Sequence, residues 1–161
     1  MRFISKHFMV GMLAASAVLV FAGTASANVL ANFPGRWTGW GSVSLESGES
    51  EKVKCVATYF LENGQSDLRQ NLRCASPSYK IDVTASLKVA GTAVTGIWQE
   101  RTNQSSGPLT GKFDDSGMNV SVKGETFSAT MAITTTSCKQ TIKIAPKGLG
   151  IARISIDLGK C

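Results

Sequence analysis

YKIDVTASLKV, residues 79–89, alternates without a fault: Tyr79, Ile81, Val83, Ala85, Leu87 and Val89 fall on one parity, and Lys80, Asp82, Thr84, Ser86 and Lys88 on the other. Period two puts the first set on one face of a β-strand and the second on the opposite face. The same alternation returns over Phe127, Ala129, Met131 and Ile133, and again over Ala152, Ile154, Ile156 and Leu158. Past residue 28 no stretch keeps apolar residues at i, i+3, i+4 and i+7 over three turns, so the chain reads as strands nearly throughout.

Turn residues break these runs at 46–49, 62–65, 76–78, 90–92, 103–108, 114–117, 123–125, 135–137 and 146–148. Asn63-Gly64 is the strongest signal, because both residues tolerate the positive φ of a tight hairpin. About ten short-linked strands follow. Short links cannot make parallel crossovers, so the sheet is an antiparallel meander. A one-faced meander removes its edges by closing or by doubling over. Glycines inside strand patterns (Thr38-Gly39-x-Gly41, Thr95-Gly96-x-Trp98, Thr110-Gly111-x-Phe113) suit the close backbone approach of strongly coiled strands. The expected fold is all-β, an antiparallel barrel of about 8–10 strands, with a sandwich as the alternative. Charged outward faces and the lack of aromatic girdles argue against a barrel that spans an outer membrane.

The N-terminus reads as an export signal. Arg2 and Lys6 precede an apolar run from Phe8 to Phe21, and Ala25-Ser26-Ala27 supplies the small-x-small cleavage pattern. The run is shorter than the ~20 residues of a spanning helix, which argues against a retained anchor. Cleavage after Ala27 is expected, leaving residues 28–161 as one domain in the periplasm or outside the cell. Loss of Arg2 and Lys6 leaves fifteen Lys and Arg against eleven acids, a net +4. The cations alternate with apolar residues and form no long run. That pattern suits the solvated face of a sheet and no nucleic-acid partner is expected.

Cys55, Cys74, Cys138 and Cys161 all lie in this exported part. An even count in an oxidising compartment reads as two disulfides. Cys55 and Cys74 flank the Asn63-Gly64 hairpin, and Cys138 and Cys161 stand at the outer ends of the last two strands. The expected pairs are therefore Cys55–Cys74 and Cys138–Cys161. Each closes a loop of ~20 residues, worth roughly 3 kcal/mol. The spacings suit neither zinc nor a thiol redox motif.

The only histidine, His7, lies in the signal. The exported part therefore lacks the usual base for a Ser or Cys nucleophile and the commonest metal ligand. A pair of carboxylates could still hydrolyse a glycoside. Glu100, between Trp98 and Arg101, is the acid with aromatic company. The expectation is a protein that is not an enzyme and has no cofactor and no metal.

FPGRWTGWG, residues 33–41, offers the candidate ligand residues. On a strand, Trp37, Gly39 and Gly41 share the inward face, while Arg36, Thr38 and Trp40 share the outward one. Trp37 plugs one end of the barrel, with Trp98 as its inward companion. The simplest packing for Trp40 is beneath Val29 to Phe33, and exposure would make it a stacking platform. Tyr59 and Tyr79 also point inward. Trp37, Trp98, Tyr59, Tyr79, Trp40 and Arg36 form the candidate binding set. An eight-stranded barrel fills with side chains, whereas about ten strands can enclose a small ligand.

Several segments together, Gly39-x-Gly41, Glu51 to Tyr59 (EKVKCVATY), Leu72 to Ser76 with Ser78-Tyr79-Lys80, Gly96 to Glu100 and Gly107 to Gly111, resemble a family of small exported proteins of rhizobia and related alphaproteobacteria. That resemblance implies export and carries no function. Gly35 to Trp37, a Gly-x-Trp at the start of the first strand, resembles the lipocalin and avidin superfamilies and implies a barrel. The expected function is binding of a small apolar or amphipathic molecule. The alternative is a structural or interaction protein of the envelope with a filled core, acting through its outer face. An enzyme inhibitor presenting an acidic loop such as Asp114-Asp115, and a carboxylate-dependent hydrolase, complete the set.

Overall fold

A computed structural model describes residues 29–161. The export signal expected over residues 1–27 lies outside them. Ten strands follow in chain order: β1 (Gly35–Leu45), β2 (Ser50–Glu62), β3 (Asp67–Ala75), β4 (Lys80–Ala90), β5 (Ala93–Glu100), β6 (Ser105–Phe113), β7 (Gly117–Lys123), β8 (Ser128–Thr135), β9 (Lys139–Lys147) and β10 (Ile151–Gly159). Each pairs antiparallel with the next, and β1 pairs with β10, so the meander closes into a barrel. The stretch 79–89 behaves as its alternation demands. Leu87 and Ala85 are buried, while Lys80, Ser86 and Lys88 face solvent.

Closure of so many strands requires strong coiling, and glycine permits it. A Cβ on Gly39 would stand 2.0 Å from the Asp157 carbonyl oxygen of β10, and one on Gly107 would stand 1.8 Å from that of Lys123 on β7. Gly107 and Pro108 correct the expected turn at 103–108: the turn is short, and both residues lie inside β6. Pro108 is tolerated because pairing of β6 with β7 begins only at Leu109↔Val122, so its missing N–H costs no ladder bond there. Pro146 likewise lies in β9, paired with Ala129 on β8 and beyond the β10 ladder. The Asn63-Gly64 turn has positive φ at both residues, 50° and 67°, as its sequence requires.

Both disulfides form as the spacing predicts. Cys55 and Cys74 are directly opposite across β2 and β3, and Cys138–Cys161 ties the chain end to the start of β9.

The strand directions give the barrel two different ends. One carries Gly35, the turns at 63–66, 91–92, 114–116 and 136–138, and residue 161. The other carries the turns at 46–49, 76–79, 101–104, 124–127 and 148–150. The segment before β1 closes the first end. Val29, Leu30 and Phe33 are buried, and Phe33 makes edge-on contacts with Tyr59 and Phe113 at 5.3 and 5.7 Å between centroids. Trp37 donates its Nε1–H to the Phe33 carbonyl at 2.8 Å. This corrects the packing expected for Trp40. The N-terminal segment enters the barrel instead of lying along its outside, because Phe33 gains more by filling the end of the core than by covering one indole. Trp40 is left 51% exposed.

Candidate functional site

The inward side chains divide the interior. Toward the plugged end Phe33, Trp37, Tyr59, Leu68, Met118 and Ile133 are fully buried. A polar chain crosses this half: Gln70 Nε2 donates to the Tyr59 hydroxyl at 3.0 Å, and that hydroxyl donates to Gln140 Oε1 at 2.9 Å. Burial drives the Tyr59 pKa far above its ordinary value, against the smaller opposing pull of Gln140 and Gln70. A phenol held neutral in this way is a structural hydrogen-bond group.

Toward the opposite end the inward side chains change character. Ile81, Val83, Val122, Met131, Ile144 and Ile154 are only partly buried, although strand register turns them inward, and Tyr79 and Phe127 stand partly exposed at the rim. Trp98 lies here, paired across strands with Ala85 and Gly107, its ring edge-on to Phe127 at 5.4 Å. Its Nε1–H is buried with no partner. A buried donor left unpaired costs about 1–3 kcal/mol, so a molecule that satisfies it is favoured. Gln140 Nε2 is a second unpartnered donor facing inward.

The six candidate residues are thus separated. Trp37 and Tyr59 belong to the plugged half, Trp98 and Tyr79 to the other. Trp98 is not the companion of Trp37 that shared parity suggests, because the two lie toward opposite ends. Trp40 and Arg36 are exposed together on the outer face of β1. Lys52 and Lys54 place their Nζ atoms 4.5 and 5.8 Å from the Trp40 ring centroid. Glu100 is occupied by the turn it closes. It accepts the backbone N–H groups of Asp82, Thr102 and Asn103 and the Asn103 amide. Burial raises its pKa, but these donors outweigh burial and hold it below the ordinary glutamate range.

Sequence reasoning missed Phe33 as a plug, Gln70 and Gln140 as a buried polar pair, and Lys160. Lys160 donates to the carbonyls of Asn32 and Pro34 at 3.0 and 3.1 Å and lies 4.5 Å from the Trp37 centroid. The two polar residues at inward parity, Gln70 and Gln140, were the legible signal.

Two concavities lie on the outside of the wall, one of about 690 Å³ over β7–β10 and β1, the other of about 330 Å³ over β3–β5. No helix among the described residues is long and apolar enough to cross a membrane. No group of three or more His, Cys, Asp or Glu among them is arranged to hold a metal.

Closed ten-stranded antiparallel topology, a plugged end and two disulfides define a lipocalin-like barrel. A solved structure of this class that it resembles is the S-type phycobiliprotein lyase CPES from Guillardia theta, with a TM-score of 0.61 and 10% identity over 81% of this chain and 88% of that one. At that identity the likeness is one of fold. No protein-family model and no curated protein sequence matches the chain.

Proposed function

We propose that this protein is an exported, non-enzymatic carrier that takes a small amphipathic molecule into the half of its barrel opposite the Phe33 plug. The observation that carries this reading is Trp98: a buried indole N–H without a partner, among inward apolar side chains that retain exposed surface. Apolar walls with few placed polar groups are what small-molecule sites present. Such a ligand has an apolar body for Ile81, Val83, Met131 and Ile144 and an acceptor oxygen for Trp98 Nε1. The absence of histidine after His7 supports the non-enzymatic part. The pattern at Ala25 to Ala27 and the two disulfides support export.

Native mass spectrometry of protein exported to a periplasm tests this, followed by solvent extraction. A reproducible extra mass that leaves on denaturation is expected, and its loss in Trp98→Phe would tie it to the indole N–H. A bare mass, with no binding of 2-acetylnaphthalene in solution, would overturn the reading. The outer face would then be the working surface.

A further inference from the structure

The outer wall formed by β7–β10 and β1 is concave, and the charged residues that line its concavity, Lys143 and Arg153, are both cations. Its trough of about 690 Å³ is lined by Ser42, Ser121, Thr130, Ser155, Lys143 and Arg153 over a floor that includes Ala132 and Ala145. Register explains the arrangement. Lys143 of β9 is opposite Ser155 of β10, Ser155 is opposite Ser42 of β1, and Ser42 is opposite Lys52 of β2, so a cation, two hydroxyls and a second cation form one row across four strands. Arg153 stands two residues from Ser155 on the same face, a diagonal neighbour of Lys143. Trp40 stands two residues from Ser42 with Lys52 and Lys54 beside its ring.

Among the described residues the cations of this trough form no ion pair. Among the described residues the ion pairs are Arg69–Glu62 and Arg73–Asp82, both on β2–β4. No carboxylate lines the trough among those residues. Asp157 shares this outer face, opposite Trp40, and accepts the Thr141 hydroxyl at 2.8 Å.

We propose that this trough is a second binding site, independent of the barrel interior, and that its occupant is an acidic polysaccharide. Five strands at the usual spacing give it a span of roughly 19 Å, enough for several sugar rings in a line. Lys143 and Arg153 meet the carboxylates, the serine and threonine hydroxyls meet the sugar hydroxyls, and the exposed Trp40 indole offers an apolar face to a ring at the end of the row. A concave floor cannot press against a flat bilayer. A single nucleic-acid strand needs successive aromatic platforms, and Trp40 stands alone on this wall as an exposed aromatic.

The test uses the intact disulfide-bonded protein and oligogalacturonate, with dextran as the neutral control. Binding to oligogalacturonate that weakens with salt, and none to dextran, is expected. The double variant Lys143→Gln/Arg153→Gln should lose at least tenfold in affinity. Lys88→Gln/Arg101→Gln removes the same charge from β4 and the turn after β5 and should leave affinity within about twofold. Equal losses in both variants would show mere net-charge attraction and overturn the site. So would stronger binding to phosphatidylglycerol vesicles or oligo-dT than to oligogalacturonate. An unchanged affinity for oligogalacturonate in the trough variant would overturn it as well.

Discussion

Lys160, next to last in the chain, is bonded to the backbone that precedes the first strand: its ammonium donates to the carbonyls of Asn32 and Pro34 and lies 4.5 Å from the centre of the Trp37 ring. One side chain thereby joins the end of the last strand to the segment before the first and holds the Phe33 plug in place. The Cys138–Cys161 disulfide fixes the backbone beside it, and Lys160 N–H donates to the Cys138 carbonyl at 3.1 Å.

Lys160→Met keeps the aliphatic stem and removes two charge-assisted hydrogen bonds and a cation–π contact. A loss of about 2 kcal/mol is expected. Urea unfolding followed by tryptophan fluorescence measures it, and an unchanged midpoint would show the contact to be idle.

Phe33→Ala empties the plugged end against Tyr59 and Phe113. Truncation of a buried phenylalanine costs about 3–5 kcal/mol. The Trp37 Nε1–H signal in a nitrogen-15 spectrum should also shift, since its acceptor is the Phe33 carbonyl.

Tyr59→Phe deprives Gln70 of its acceptor and Gln140 of its donor while leaving the shape unchanged. About 1–3 kcal/mol is expected from the stranded amides. A thermal melt that matches the parent would show that the two amides find each other.

Alkali exposes the same group through its pKa. Burial raises the folded-state pKa of Tyr59 above the unfolded value of about 10. Its contribution to stability is therefore fully present below about pH 10 and declines as pH rises beyond it. Tyr59 should stay protonated while the fold persists, its tyrosinate absorbance appearing together with loss of far-ultraviolet circular dichroism.

Acid acts on the turn at 114–116 in the opposite sense. The Ser116 hydroxyl and backbone N–H, together with Gly117 N–H and the Asn119 amide, outweigh desolvation and hold the Asp114 pKa below its ordinary value. This contribution is present above the unfolded pKa of about 4 and is lost as pH falls through the folded one. Asp114→Asn should flatten the acid limb of a stability profile between pH 5 and 2, and an unchanged limb would place that dependence elsewhere.

The strand pattern was legible because period two is a local property: Ile81 and Leu87 share a face whatever they pack against. Asn63-Gly64 declared its turn for the same reason, and cysteine spacing declared the disulfides once neighbouring strands were known to pair. Strand ends were less legible. Gly107 and Pro108 read as a turn, yet lie in β6 because they pair with Trp98 and Ile97 of β5, where the ladder to β7 has not begun.

What the sequence by itself determined is the all-β meander, its inward stripe, the disulfide pairs and the absence of histidine after His7. Tertiary structure alone decided which end Phe33 closes, that Trp40 stays in solvent, and that Lys160 meets Trp37. It also decided that Trp98 lies at the other end with an unpaired N–H and that Lys143, Ser155, Ser42 and Lys52 form one row. The physical reason is closure. Side-chain parity is fixed within one strand, whereas the pairing of β1 with β10 joins residues more than a hundred positions apart, and the entry of the N-terminal segment brings Phe33 onto Tyr59 and Phe113. No local pattern encodes those contacts.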